Sequence, residues 1–131
     1  MKKNSRRQFI KSAAIAAIAP SVLTVDQPKQ ILHQVFFWLK NPESEADKQA
    51  LLKGLRTLKA IPQIKKLIIG TPAATEKRPV IDNSYDICLL EYLSSVEDEK
   101  AYQVHPIHKA FVEQCSHLWK KVQIYDVEVM E

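Results

Sequence analysis

The sequence predicts an α+β domain in which helices cover one face of an antiparallel four-stranded sheet. Three observations carry this. Segments rich in β-branched and aromatic residues, alternating with period two, recur at residues 31–39, 64–70, 85–92 and 122–129. Apolar residues spaced three and four apart fill residues 44–59 and 96–118, between the first and second of those segments and between the third and fourth. Breaks such as Asn41-Pro42, Ile61-Pro62 and Asp82-Asn83 punctuate the boundaries.

In the first strand, Ile31, His33, Val35, Phe37 and Leu39 share one face and Leu32, Gln34, Phe36 and Trp38 the other. Both faces are mostly apolar, so cover is needed on both sides. Asn41 or Ser44 caps the following helix, which runs to about Lys59 and gathers Leu51, Leu52, Leu55 and Leu58 on one side. Gly54 inside it slightly weakens the case for a helix. Ile64 to Gly70 forms the second strand. Residues 71–83, with Pro72 and Pro79, make the longest irregular connection. Tyr85 to Tyr92 is the third strand, again apolar on both faces.

Ser94 or Ser95 caps a short helix through about Tyr102, with Glu97, Asp98 and Glu99 in the first turn, where the helix dipole favours acids. His105 precedes Pro106 and is pushed out of helical geometry, which makes it the N-cap of a helix whose first residue is that proline. Ile107, Ala110, Phe111, Gln114 and Leu118 share one face of this helix. His108 lies on a flank with Val112, Cys115 and Trp119 and points toward the interior edge. Val122 to Val129 closes the sheet.

This order, β-α-β-β-α(α)-β, is the ferredoxin-like arrangement. One chain has no spare element for the second sheet face, so a homodimer that pairs sheet face to sheet face is expected.

Residues 1–25 read differently. A basic stretch with Ser5-Arg6-Arg7-Gln8-Phe9-Ile10-Lys11 leads into the short apolar run Ala13 to Ala19. That is the layout of an export signal, too short to span a bilayer. It resembles the twin-arginine pattern, which implies a periplasmic protein and membrane contact only where the segment stays uncleaved. The mature domain is then residues 26–131. Five of the nineteen Lys and Arg lie in the leader, which has no acid. Fourteen remain against fifteen Asp and Glu, a net charge of −1. With basic and acidic residues interleaved, nucleic-acid binding is not expected. Two glycines leave no material for a phosphate-cradling loop. Cys88 and Cys115 are expected to be two inert buried thiols.

His33-x-Val35, Ile61-Pro62-x-Ile64, Gly70, Ser84-Tyr85-Asp86 and, most specifically, Tyr102-x-x-His105-Pro106-x-His108-x-x-Phe111-Val112 resemble the Dabb family of stress-responsive dimeric α/β-barrel domains. The likeness spans about residues 30–128. It implies a dimer whose β-barrel encloses an apolar pocket for a small apolar or aromatic molecule, with no cofactor. A plant member is a polyketide cyclase that uses a histidine base and a tyrosine. By position these correspond to His108 and Tyr102, with His33, Val35, Phe37, Ile87, Leu89 and Phe111 as pocket residues. The cyclase has a further pocket histidine where this chain has Ile87, so the fold carries over better than the reaction. Alternatives from the same resemblance are a cofactor-free monooxygenase and a non-enzymatic protein with a filled core.

His105 has a structural role as a cap. His108 is either a base, its pKa lowered by burial, or a satisfied core histidine. His33, on an apolar strand face, needs a polar partner such as His108 or Tyr102. His117 is solvated. His105 and His108 have metal-ligand spacing, but no carboxylate or thiolate stands beside them at ligand spacing, and no metal is expected.

Overall fold

The computed structural model describes residues 26–131, and the leader assigned to residues 1–25 lies outside the described residues. The elements are β1 (Ile31–Leu39), α1 (Glu45–Thr57), β2 (Ile64–Gly70), β3 (Ile87–Leu93), α2 (Val96–Gln103), α3 (Pro106–Cys115) and β4 (Trp119–Glu128). Single 3-10 turns, Leu58–Ala60 and Ser116–Leu118, extend α1 and α3. The sheet runs β2-β3-β1-β4, every pair antiparallel. This is the ferredoxin-like order expected from the sequence.

Local chemistry sets the boundaries. The Ser44 hydroxyl accepts the Asp47 N–H at 3.2 Å, and the Ser95 hydroxyl accepts that of Asp98 at 3.1 Å, so each helix opens on a serine cap. β3 starts at Ile87 rather than Tyr85. Just before it, the Asp86 N–H donates to the Phe37 carbonyl at 2.8 Å, and its carboxylate accepts the Leu39 N–H at 2.7 Å. A side chain thus replaces the ladder there. β4 begins three residues early, at Trp119, because a bulge at Trp38/Leu39 lets Trp119 pair with Leu39.

The residues of β1 alternate between two environments. Ile31, His33, Val35, Phe37 and Leu39 are buried beneath the helices, while Leu32, Gln34, Phe36 and Trp38 are half-buried on the outer face. The core joins the buried stripe to Leu51, Leu55, Leu58, Tyr102, Phe111 and Cys115. Burying each leucine is worth about 1.5–3 kcal/mol. Gln114, expected on the inner face of α3, is exposed. The buried stripe of that helix is narrow, Phe111 and Cys115 one turn apart, and Gln114 falls beside it. His117 is exposed in the 3-10 turn, as the sequence implies. Cys88 and Cys115 are buried, unpaired thiols on opposite sides of the sheet.

Gly54 has a packing reason. A Cβ there would lie 2.4 Å from Cys115 Sγ and 3.1 Å from Phe111 Cδ2, so α1 and α3 approach where α1 has no side chain. Gly54→Ala should therefore lower stability by about 1–3 kcal/mol, despite alanine's better helix propensity. Adding Cys115→Ala should recover most of the loss. Urea denaturation of the single and double variants checks this; a more stable Gly54→Ala protein would refute the packing account.

On the outer face, the Phe36 ring stands 4.9 Å from Tyr85 and 6.1 Å from Tyr125, and Lys121 Nζ lies 4.3 Å over Trp38. Among the described residues, no helix is long and apolar enough to cross a membrane.

Candidate functional site

The run from Tyr102 to His108 folds as a junction between two helices. Tyr102 lies in the last turn of α2 on its buried side, 1% exposed. His105 is the N-cap of α3, and its Nδ1 accepts the Ile107 N–H at 3.1 Å. Pro106 occupies the first helical position, where a missing N–H costs nothing. This places His108 two residues into the first turn of α3, beside the end of α2. The last carbonyls of a helix have no partner within it. One of them, Gln103 O, lies 3.2 Å from His108 Nδ1.

That contact fixes the ring's chemistry. A carbonyl only accepts, so His108 Nδ1 carries the hydrogen and Nε2 keeps its lone pair. Burial lowers the His108 pKa, opposed by the Gln103 carbonyl and reinforced by nearby His33. The imidazole is therefore neutral at pH 7, with an unprotonated nitrogen to offer.

A cavity of about 130 Å³ lies between the inner sheet face and α3. Of the residues assigned from the sequence, it brings together His33, Val35, Phe37, Leu89, Tyr102, His108 and Phe111. Val112 and Ile124, 39% and 45% exposed, form its rim. The Tyr102 and His108 rings are 4.6 Å apart, and the His33 ring meets Tyr102 edge-on at 5.7 Å. Two expectations need correction. Ile87 does not line this cavity; it faces a depression beside α1 that holds no histidine. The cavity also lies within one protomer, not inside a barrel formed by two, because the odd-numbered residues of β1 face the helices. Larger depressions of about 410 and 420 Å³ flank α1, one lined by Arg56 and Lys59 and the other by Glu45, Lys48 and Asp86, with no histidine in either.

His33 finds a different partner from those expected. Its Nδ1 lies 2.5 Å from Asp126 Oδ1, a residue directly across on β4. Asp126 accepts that hydrogen and orients the ring. The cross-strand neighbour of His33 on its other side is Glu91 of β3. Glu91 is fully buried, and Tyr102 donates its hydroxyl hydrogen to Glu91 Oε1 at 3.3 Å. Burial pushes the Glu91 pKa up to about 7, opposed by the Tyr102 hydrogen bond. Burial, then the Glu91 charge, pushes the Tyr102 hydroxyl far above its ordinary pKa, so it stays protonated.

Glu91, Gln103 and Asp126 are the site residues that sequence reasoning missed. For Glu91 a signal existed: Ile87, Leu89, Glu91 and Leu93 share one strand face, a lone carboxylate in an apolar stripe. Asp126 needed the β1–β4 register, and the Gln103 carbonyl needed the helix junction. His33, Glu99 and Asp126 also place ligand atoms within 4.8 Å of one another. The Nδ1–Oδ1 separation of His33 and Asp126 is that of a hydrogen bond, however. It is shorter than the ~3.3 Å between two ligands held tetrahedrally about 2.0–2.1 Å from a zinc ion. The pair is a carboxylate-oriented histidine as it stands.

No curated protein sequence matches the chain. Its fold recurs in solved structures. A Dabb family protein with a ferredoxin-like fold from Mesorhizobium loti is 22% identical, covering 79% of this chain and 99% of its own, with a TM-score of 0.65. A dimeric ferredoxin-like protein of unknown function from Thermobifida fusca is 20% identical (79% and 93% covered, TM-score 0.64). A hydroxynitrile lyase from Passiflora edulis is 18% identical (79% and 96% covered, TM-score 0.64). The family model for the Stress responsive A/B Barrel Domain matches residues 31–129. With helix junction, sheet order and family model in agreement over nearly all the described residues, the chain belongs to the Dabb family.

Proposed function

We propose that this protein binds a small apolar or aromatic molecule in the cavity under α3, with His108 as an acid–base group and Tyr102 as the hydroxyl that positions or polarises the ligand. One observation carries the reading. His108 Nδ1 is committed to the Gln103 carbonyl, which leaves Nε2 with a lone pair in an apolar cavity beside a protonated tyrosine. A cavity of about 130 Å³ suits one aromatic ring, since an apolar cavity of ~150 Å³ holds benzene. It also speaks against a filled core.

The working form is a homodimer. Support comes from the aromatic outer face, with Phe36, Trp38, Tyr85 and Tyr125 clustered on the side that no helix among the described residues covers. The solved relatives described as dimeric add to it. Native mass spectrometry of the purified chain tests both parts at once. The expected species has the mass of two chains and retains a small molecule that His108→Ala and Tyr102→Phe retain less. A monomer would sink the dimer, and failure to retain any apolar ring compound would sink the ligand reading.

The protein acts after export to the periplasm. Here the support is the Ser5-Arg6-Arg7-Gln8-Phe9-Ile10-Lys11 stretch alone. Exchanging Arg6 and Arg7 for lysines should hold the precursor in the cytoplasm; fractionation that finds the same periplasmic yield would rule the pathway out.

A further inference from the structure

Behind the pocket wall sits a carboxyl group that the proposed chemistry does not use. Glu91 does not line the cavity and reaches it only through Tyr102. Its Oε1 is held by the Tyr102 hydroxyl, while Oε2 is buried without any hydrogen-bond partner. An ionised carboxylate normally collects several donors, and a buried unpaired oxygen on a charged group is costly. Around it stand His33 across β1, Leu67 across β2 and Tyr102 on α2, with Asp126 on β4 beyond His33 and Glu99 and His108 beside Tyr102. None is a lysine or arginine. A carboxyl in this setting is suited to hold a proton, and burial does raise its pKa to about 7.

We propose that Glu91 is a positioning residue that decides, by holding or releasing one proton, what the Tyr102 hydroxyl presents to a bound molecule. When Glu91 is ionised it accepts the tyrosine hydrogen, and only the lone pairs of the tyrosine oxygen face the cavity. When Glu91 is protonated it donates its own hydrogen to the tyrosine oxygen, and the tyrosine O–H turns to the ligand. The proton comes from and returns to solvent, and no bond of the ligand changes. A neutral carboxylic acid donating at pH 7 from an apolar site is an attested device. The ligand class follows. A ketone, which only accepts, is held through the protonated form, whereas a phenol is held through either form because its hydroxyl both donates and accepts.

This inference rests on the reading that the cavity takes a single-ring ligand, and the experiment separates the two. Acetophenone and phenol are titrated calorimetrically into the full chain between pH 6.5 and 8.5, a range above the His108 pKa, which burial lowers from its ordinary value. Acetophenone should weaken on the order of tenfold as pH rises, and phenol should stay nearly constant. Glu91→Gln, whose amide donates at every pH, should hold acetophenone at its low-pH affinity throughout. Tyr102→Phe should abolish the difference. Flat profiles for both probes in the wild-type protein would overturn the inference alone. Binding of neither probe would overturn the ligand reading and the inference with it. Should the Glu91 variant fail to fold, carbon-13 NMR of labelled glutamate carboxyls decides on the wild-type chain. One carboxyl should titrate near pH 7 together with the Tyr102 ring, and titration of all of them in the ordinary carboxylate range would overturn the proposal.

Discussion

Replacing Glu91 by glutamine is expected to stabilise the fold by about 3 kcal/mol at pH 8 and to change it little at pH 4. The sign follows from where the proton sits. Burial raises the folded-state pKa of Glu91 from 4.5 to about 7. Below pH 4.5 the carboxyl is protonated in both folded and unfolded chains, and it costs nothing. Between 4.5 and 7 the unfolded chain ionises while the folded one does not. The folded state then loses about 1.4 kcal/mol of relative stability per pH unit. Above 7 both are ionised and the loss is complete. Glutamine never ionises and keeps a donor for the Tyr102 oxygen, so the variant escapes the loss. Urea denaturation of both proteins at pH 4, 6 and 8, at one protein concentration, reads it directly. A gap between them that stays constant with pH would refute the assignment of Glu91 as a buried, titrating acid.

The two histidines around Pro106 should respond to alanine in opposite ways. His105→Ala removes a side chain that caps α3, and should cost about 0.5–2 kcal/mol of stability with little effect on the pocket. His105→Asn, which also caps, should restore most of it. His108→Ala should leave stability within about 1 kcal/mol, because the ring is half-buried and makes one hydrogen bond. Its effect falls on proton transfer. Exchange of the methyl hydrogens of bound acetophenone with deuterium solvent, followed by NMR, should slow by ~10²–10⁴-fold, the usual contribution of a positioned base. Equal exchange in wild type and His108→Ala would remove His108 as the base, wherever its ring points.

How far these residues were legible before the fold was known depended on the range of the interaction involved. The cap at His105 and the inward turn of His108 are settled within four residues by proline geometry and helical period, and both were read in advance. The buried stripe of β1 was equally local, a period of two. What failed was non-local. The partner of His33 is 93 residues away on β4, and only the strand register identifies Asp126 as that partner. Ile87 has the correct alternation for the inner face, yet it lies toward α1, away from the histidines, a displacement along the strand that periodicity does not encode. Gly54 was read as a weakness of α1 because the reason for it, Cys115, sits on another helix.

The bond between His108 and the Gln103 carbonyl has one more consequence. α2 has eight residues, too few to persist as an isolated helix, and Tyr102 is its buried anchor. Its last turn is where fraying begins. When that turn opens, the Gln103 carbonyl swings away, and the imidazole is free to shift its hydrogen to the other nitrogen and lose its basic atom to the cavity. The unprotonated Nε2 of His108 is thus tied to a local opening equilibrium in α2. Any molecule that packs on Tyr102 and holds α2 closed would also hold the His108 hydrogen on Nδ1.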